Sequence, residues 1–209
     1  MTRADTPTAE EFAHTLVLVE RAVVAGVTLI QLREKKLSAR SLYQLTARAA
    51  QITKGSATRL LVNDRADIAC AAGADGVHLT TQSLDAGVVR RAFGRDFLIG
   101  VSTHSPAEAQ AARVGGADFA VFGPVFDTPS KRDHGPPLGT LALAETARAV
   151  APFPVLALGG VTLENAHDVF RSGAQGVAAI RLFNDAAELG EVVRVIRSAA
   201  AAEDRDELM

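Results

Sequence analysis

Val155-Leu156-Ala157-Leu158-Gly159-Gly160, followed after a helical segment by Gly176-Val177-Ala178-Ala179-Ile180, decides the fold. Each is a short apolar run with glycine at its end or its start, and the two read as the last pair of parallel strands in a chain built from βα repeats. In a (β/α)8 barrel the loops after the final strands commonly hold a phosphate through backbone N–H groups. A phosphorylated small molecule is therefore the first ligand to suspect.

Working outward from that pair, the same alternation runs back along the chain. Strands are expected at Thr28–Leu32, Leu60–Asn63, Gly76–Leu79, Leu98–Val101, Phe119–Phe122, Val155–Leu158 and Gly176–Ile180, separated by alanine-rich amphipathic segments. The spacing, roughly 20 to 35 residues, is what successive βα units need. Ala-Gly-Ala-Asp-Gly-Val at 72–77 is echoed at 116–121 and 173–178, each copy closing a helix with glycine and launching a buried strand. Helix starts are marked by Ser38 before Ala39–Lys54, by Ser105-Pro106 and by Thr162-Leu163-Glu164-Asn165 before Ala166–Arg171. A last helix is expected over about Asp185 to Ala202, with fraying from Glu203. The segment before Thr28 reads as one helix, about Thr8 to Ala25. The fold class is thus α/β, a TIM (β/α)8 barrel in one domain over residues 1–209 whose first strand is missing or truncated; either the barrel is open there or the natural start lies upstream of Met1.

The bulk numbers exclude several classes. The 209 residues are 48% hydrophobic and 22% charged, enough for one barrel-sized core. A net charge of −2 with dispersed Lys and Arg argues against nucleic acid as a partner. No apolar run approaches the ~20 residues of a membrane span, and the first residues do not resemble a signal peptide, so a cytoplasmic location is expected. The single cysteine, Cys70, lies in an apolar run and reads as a core residue. A homo-oligomer is compatible with all of this.

In a barrel the active face is formed by strand C-terminal ends, so the polar residues that stop each apolar run are the candidates. Gln31, Arg33 and Lys35 alternate and would face one side together, two cations and an amide suited to a diphosphate and a heterocycle edge; the alternative is a solvated turn. Asn63 and Asp64 follow the second strand, where Asp64 is either an Mg²⁺ ligand or the N-cap of the next helix. Ser102, Thr103 and His104 follow the fourth strand, with Ser105 as a helix cap. The loop 123–139 is long enough to be a lid, and its Thr128, Ser130 and Lys131 suit phosphate oxygens; the alternative, which its prolines and glycines also fit, is a plain connector. His78 either points into the barrel mouth or is a structural histidine, while His14 and His167 read as surface residues. No His/Cys cluster has transition-metal spacing, and neither a Ser-His-Asp arrangement nor the glycine pattern of dinucleotide binders is present.

Together Gln31-Leu-Arg33-Glu-Lys35, Asn63-Asp64, Asp75-Gly-Val-His78-Leu, Gly100-Val-Ser102, Gly123-Pro-Val-Phe-Asp-Thr128-Pro-Ser130-Lys131 and Leu158-Gly159-Gly160-Val resemble the thiamine phosphate synthases, in order from about Ala22 to Phe183. The resemblance implies a TIM barrel that joins hydroxymethylpyrimidine diphosphate to a thiazole phosphate with Mg²⁺ as cofactor. By the same resemblance Gln31, Arg33 and Lys35 hold the pyrimidine diphosphate, Asn63 and Asp64 sit at its metal, and Ser102 and Lys131 contact its phosphates. Thr128 and Ser130 match lid contacts to the thiazole, and Gly159 with the backbone at Ala179–Ile180 matches the thiazole phosphate site.

Two positions depart from that pattern. Thr80-Thr81-Gln82-Ser83 stands where the synthases continue Gly-Gln-Glu-Asp, so Ser83 replaces a second metal carboxylate, and Arg181 stands where a serine is usual. Other stretches, among them Asn63-Asp-Arg-Ala-Asp-Ile-Ala69 and Ser83-Leu-Asp-Ala, resemble the sister branch of TenI-like thiazole tautomerases. In that branch a histidine follows the glycine equivalent to Gly123, whereas this chain has Pro124, which cannot shuttle a proton. A tautomerase using His104 or His134 instead, and a catalytically silent phosphate-binding relative, are the alternatives to a synthase.

Overall fold

A computed structural model describes residues 9–128 and 135–206. Seven strands, β1 (Leu29–Leu32), β2 (Arg59–Asn63), β3 (Gly76–Leu79), β4 (Leu98–Thr103), β5 (Phe119–Phe122), β6 (Val155–Leu158) and β7 (Gly176–Ala178), form one parallel sheet in sequential order. Helices α1 (Ala9–Val24), α2 (Ala39–Thr53), α3 (Ala66–Ala72), α4 (Ala86–Phe93), α5 (Pro106–Val114), α6 (Gly139–Val150), α7 (Ala166–Arg171), α8 (Arg181–Asn184) and α9 (Leu189–Asp206) complete the chain. The sheet curls into the partial barrel that the sequence leads one to expect. Among the described residues no strand precedes β1, so β1 and β7 are its edges.

Period two along each strand sorts the side chains. Leu29, Leu61, Leu98, Phe119, Val121, Leu156, Leu158 and Ala178 meet in one cluster on the concave side. Their alternates, such as Leu60, Val62, Val77, Ile99, Phe122, Val155 and Ala157, pack beneath the surrounding helices. Gly100 is required on the concave side because a Cβ there would stand 2.3 Å from the Phe119 ring. The Ala-Gly-Ala-Asp repeat has a purpose beyond its turn. Asp75, Asp118 and Gln175 occupy the same repeat position, and each side chain accepts an amide of the preceding strand, from Leu60 (2.8 Å), Ile99 (2.7 Å) and Val155 (2.8 Å) respectively. Ser38 and Ser105 cap α2 and α5 as expected, accepting from the amides of Ser41 (3.1 Å) and Glu108 (3.2 Å).

The open seam between β7 and β1 is spanned by side chains rather than strand pairing. Arg21 of α1 donates to the carbonyls of Ala186 and Ala187, and Arg197 of α9 donates to the Gly26 carbonyl at 2.6 Å. No helix among the described residues is long and apolar enough to cross a membrane.

Three expectations need correction. Cys70 is exposed, because Ala66, Ile68 and Ala69 form the buried face of α3 and the next position turns about 100° outward. β7 ends at Ala178, two residues short of Ile180, since the chain turns at once into α8. With α8 and its Asp185 cap using the first part of the expected C-terminal helix, α9 starts at Leu189 and runs through its alanine-rich stretch to Asp206, past the expected fraying point at Glu203.

Candidate functional site

The C-terminal strand ends of β1 to β4 carry a connected polar network. Gln31, facing the barrel mouth from β1, donates through Nε2 to Asn63 Oδ1 (3.0 Å), and Asn63 Nδ2 donates to Asp64 Oδ2 (2.7 Å). Asp64 has φ 59°, a left-handed conformation that a non-glycine residue adopts at a cost, fixed here by its amide donating to the His78 carbonyl at 2.9 Å. Its other carboxylate oxygen accepts from the amide (3.2 Å) and hydroxyl (3.1 Å) of Thr80 and from the Ser83 hydroxyl. Burial pushes the Asp64 pKa up, but these hydrogen bonds from Ser83, Thr80 and Asn63 outweigh it and hold the carboxyl below its usual range. Asp64 is therefore an anion aimed at the β3–α4 turn. It is not a helix cap: the N-cap position of α3 is Arg65, with no side-chain cap bond.

Arg33 and Lys35 are exposed just beyond β1, Arg33 near enough to His78 for its charge to act on that ring, while Leu32 between Gln31 and Arg33 turns into the core. Neither cation forms an ion pair among the described residues. His78 points into the mouth and lies 2.8 Å through Nε2 from the Ser102 hydroxyl, its ring tilted over Phe119 at 6.4 Å. Burial lowers its pKa to about 4, with the Asp64 charge opposing and the Arg33 charge reinforcing, so the ring is neutral at pH 7.

The opposite rim, at β5 to β7, is built from backbone. Gly159 and Gly160 have φ 99° and 64°. A Cβ on Gly159 would stand 2.7 Å from Pro124, and one on Gly160 2.5 Å from the Asp127 carbonyl. The amides of Val125 and Phe126 donate to the carbonyls of Leu158 (2.8 Å) and Gly159 (2.9 Å), so the turn after β6 and the loop after β5 are laced together. Thr128, in the same loop, is buried and accepts from Arg181 Nη2 at 3.3 Å. Ala179 is half-buried and Ile180 exposed at the same rim. Ser130, Lys131 and His134 lie outside the described residues.

The structure therefore brings Gln31, Asn63, Asp64, Ser83 and Ser102 to one rim and Thr128, Gly159, Ala179 and Ile180 to the other. Thr80, whose amide and hydroxyl position Asp64, was missed by sequence reasoning, although the rule that found the others, a polar residue stopping an apolar strand, also marks it. His104 is tied to Glu108 on the outside of α5, with its amide and its Nδ1 (3.1 Å) on the same carboxylate oxygen, and His14 and His167 are exposed on helices. Pro124 lies against Gly159, without a proton to exchange.

A divalent cation was expected at Asp64. No group of three or more His, Cys, Asp or Glu side chains that could hold a metal occurs among the described residues. The donors that are present, one ionised carboxylate flanked by the Ser83 and Thr80 hydroxyls, are all hard oxygens. Such a set suits Mg²⁺ shared with substrate phosphates rather than an all-protein cage.

The family model described as thiamine monophosphate synthase matches residues 5–183. The thiamine-phosphate synthase of Moorella thermoacetica is 40% identical over 183 residues, covering 88% of this chain and 87% of its own. That of Chlorobium limicola is 38% identical over 179 residues, covering 86% and 85%. Among solved structures, the thiamine phosphate pyrophosphorylase of Pyrococcus furiosus superposes with a TM-score of 0.80 at 29% identity, covering 90% of this chain and 89% of its own. With the family's motifs arrayed in order around one barrel mouth, the chain belongs to the thiamine monophosphate synthase family.

Proposed function

We propose that this protein is a transferase that joins hydroxymethylpyrimidine diphosphate to thiazole phosphate, giving thiamine phosphate and diphosphate. The bond from the pyrimidine methylene carbon to the diphosphate oxygen breaks with its electron pair leaving on the diphosphate, and the thiazole ring nitrogen supplies the pair for the new C–N bond. No side-chain nucleophile is needed. The work is electrostatic stabilisation of the departing anion. The observation that carries the reading is the rim at β1 to β4, where Arg33 and Lys35, exposed and without ion-pair partners among the described residues, follow directly on Gln31, the start of the ordered Gln31–Asn63–Asp64 chain.

In this reading Arg33 and Lys35 bind the diphosphate and balance the charge it gains on leaving. Gln31 and Asn63 orient the pyrimidine edge, and Ser102 donates to a phosphate oxygen. With the proton on Nε2, His78 donates to Ser102 and leaves the serine hydroxyl hydrogen for the substrate. Asp64, with Ser83 and Thr80 beside it, would hold Mg²⁺, which supplies Lewis-acid stabilisation of diphosphate charge. Ser130 and Lys131 add contacts from the loop after Thr128. The Gly159–Gly160 turn and the backbone at Ala179 and Ile180 receive the thiazole phosphate. A cytoplasmic location and a homo-oligomer belong to the same reading.

The test is a coupling assay of the purified protein with both substrates and Mg²⁺, with thiamine phosphate detected after oxidation to its fluorescent product. Product formation that EDTA abolishes is expected. A folded protein that forms none would overturn the assignment, and isomerisation of thiazole phosphate without metal would place the chain with the tautomerases.

A further inference from the structure

Arg181 is the one described cation in the segments that follow β5, β6 and β7, and it is held more loosely than Arg90 on the outer layer. Arg90, for comparison, spends its donors on the carbonyls of Gly94, Arg95, Phe97 and Gly116 and on Asp118. Arg181 is exposed and makes one hydrogen bond, at 3.3 Å, to the neutral hydroxyl of Thr128. No carboxylate pairs with it among the described residues. Among the described residues its charge has no acidic partner and most of its planar fork of donors is unused.

The position of that fork is set from two directions. β7 ends at Ala178, which pairs in register with Leu158, so the chain delivers Arg181 to the side where Gly159 and Gly160 turn. Thr128 follows the part of the loop packed on those glycines, where Val125 and Phe126 are bonded to the carbonyls of Leu158 and Gly159. A phosphomonoester brought to this rim meets backbone from one side and a free guanidinium from the other. Bidentate Arg–phosphate bonds are shorter and stronger than a single contact to a neutral hydroxyl, so the ester takes the fork from Thr128.

From this we infer that Arg181 is a specificity residue for the phosphate of the second substrate: its guanidinium rests on Thr128 until a phosphomonoester claims it, and so selects the phosphorylated thiazole over the free alcohol. This rests on the transferase reading above.

The test compares wild type, Arg181→Ala and Arg181→Lys, each shown folded by its melting curve. Thiazole phosphate and thiazole alcohol are titrated separately by calorimetry without the pyrimidine, and steady-state kinetics are measured with both substrates. Loss of charged hydrogen bonds should raise Kd and KM for thiazole phosphate about ten- to hundredfold in Arg181→Ala. The KM for the pyrimidine diphosphate and the affinity for the alcohol should stay within about twofold. Arg181→Lys, which keeps the charge but not the fork, should fall between. Unchanged phosphate affinity in Arg181→Ala, equal losses for phosphate and alcohol, or no binding of thiazole phosphate by wild type would each overturn the inference. The calorimetric result stands apart from turnover: a wild type that binds the phosphate but forms no product defeats the transferase reading and leaves the role of Arg181 to be decided by the variants.

Discussion

The two halves of the barrel mouth solve the same problem with different materials. Around β1 to β4 the rim is made of side chains already bonded to each other, from Gln31 through Asn63 to Asp64 and from His78 to Ser102. Around β5 to β7 it is made of main chain, two left-handed glycines pressed against a loop, with Arg181 on Thr128 as its side-chain contact. The difference fits the ligands proposed for each. A leaving diphosphate needs charge balanced at several oxygens, which calls for cations and ordered acceptors. A phosphate that only anchors its molecule is held well by amides, which leave little to substitute.

The sharpest break of this comparison is at the side-chain rim. Arg33→Ala and Lys35→Ala should each lower kcat/KM by about a thousandfold, as expected where charge stabilisation dominates, with urea midpoints unchanged because both side chains are exposed. Near-wild-type rates in either variant would remove the diphosphate from that rim.

Next in size is a pH effect belonging to the same half. The folded His78 pKa of about 4 lies below the ~6.5 of an unfolded histidine. As pH falls from 6.5 towards 4 the unfolded chain binds the proton first, so stability is complete above 6.5 and is lost across that window, by on the order of 3 kcal/mol. Urea denaturation at pH 7.5 and 4.5 should show this slope in wild type and a much smaller one in His78→Gln. Equal slopes would mean another group sets it.

The backbone rim should respond in stability rather than in rate. Gly160→Ala places a Cβ 2.5 Å from the Asp127 carbonyl at φ 64°, and should cost about 2 kcal/mol, read from the shift in denaturation midpoint. An unchanged midpoint would show that the two laced loops can part freely. The smallest effect is a gain. Ser83→Asp puts a second carboxylate beside Asp64 and should tighten Mg²⁺ binding about tenfold by calorimetry. No tightening would place the cation away from Asp64.

Much of this was legible in the order of residues. The seven strands followed from short apolar runs between glycine turns, and no such run precedes Thr28, where none of the described residues forms a strand. Ser38 and Ser105 announced their helices, and the polar residues closing β1, β2 and β4 named most of one rim. What misled was residue-level orientation. Cys70 sits in an apolar run, yet one step along a short helix carried it to solvent. The Asp64 sequence context fits a helix cap equally well, and only a backbone turned to φ 59° by the His78 carbonyl aims its carboxylate elsewhere.

The sequence by itself determined the repeat, the direction of every strand and the chemical character of each strand end, because hydrophobic period and turn chemistry are local. Tertiary structure alone decided which ends meet. Gln31 reaches Asn63, His78 reaches Ser102 and Arg181 reaches Thr128 across 32, 24 and 53 residues. Such pairs depend on sheet register and curl, which are set by packing of the whole barrel and leave no local mark on the chain.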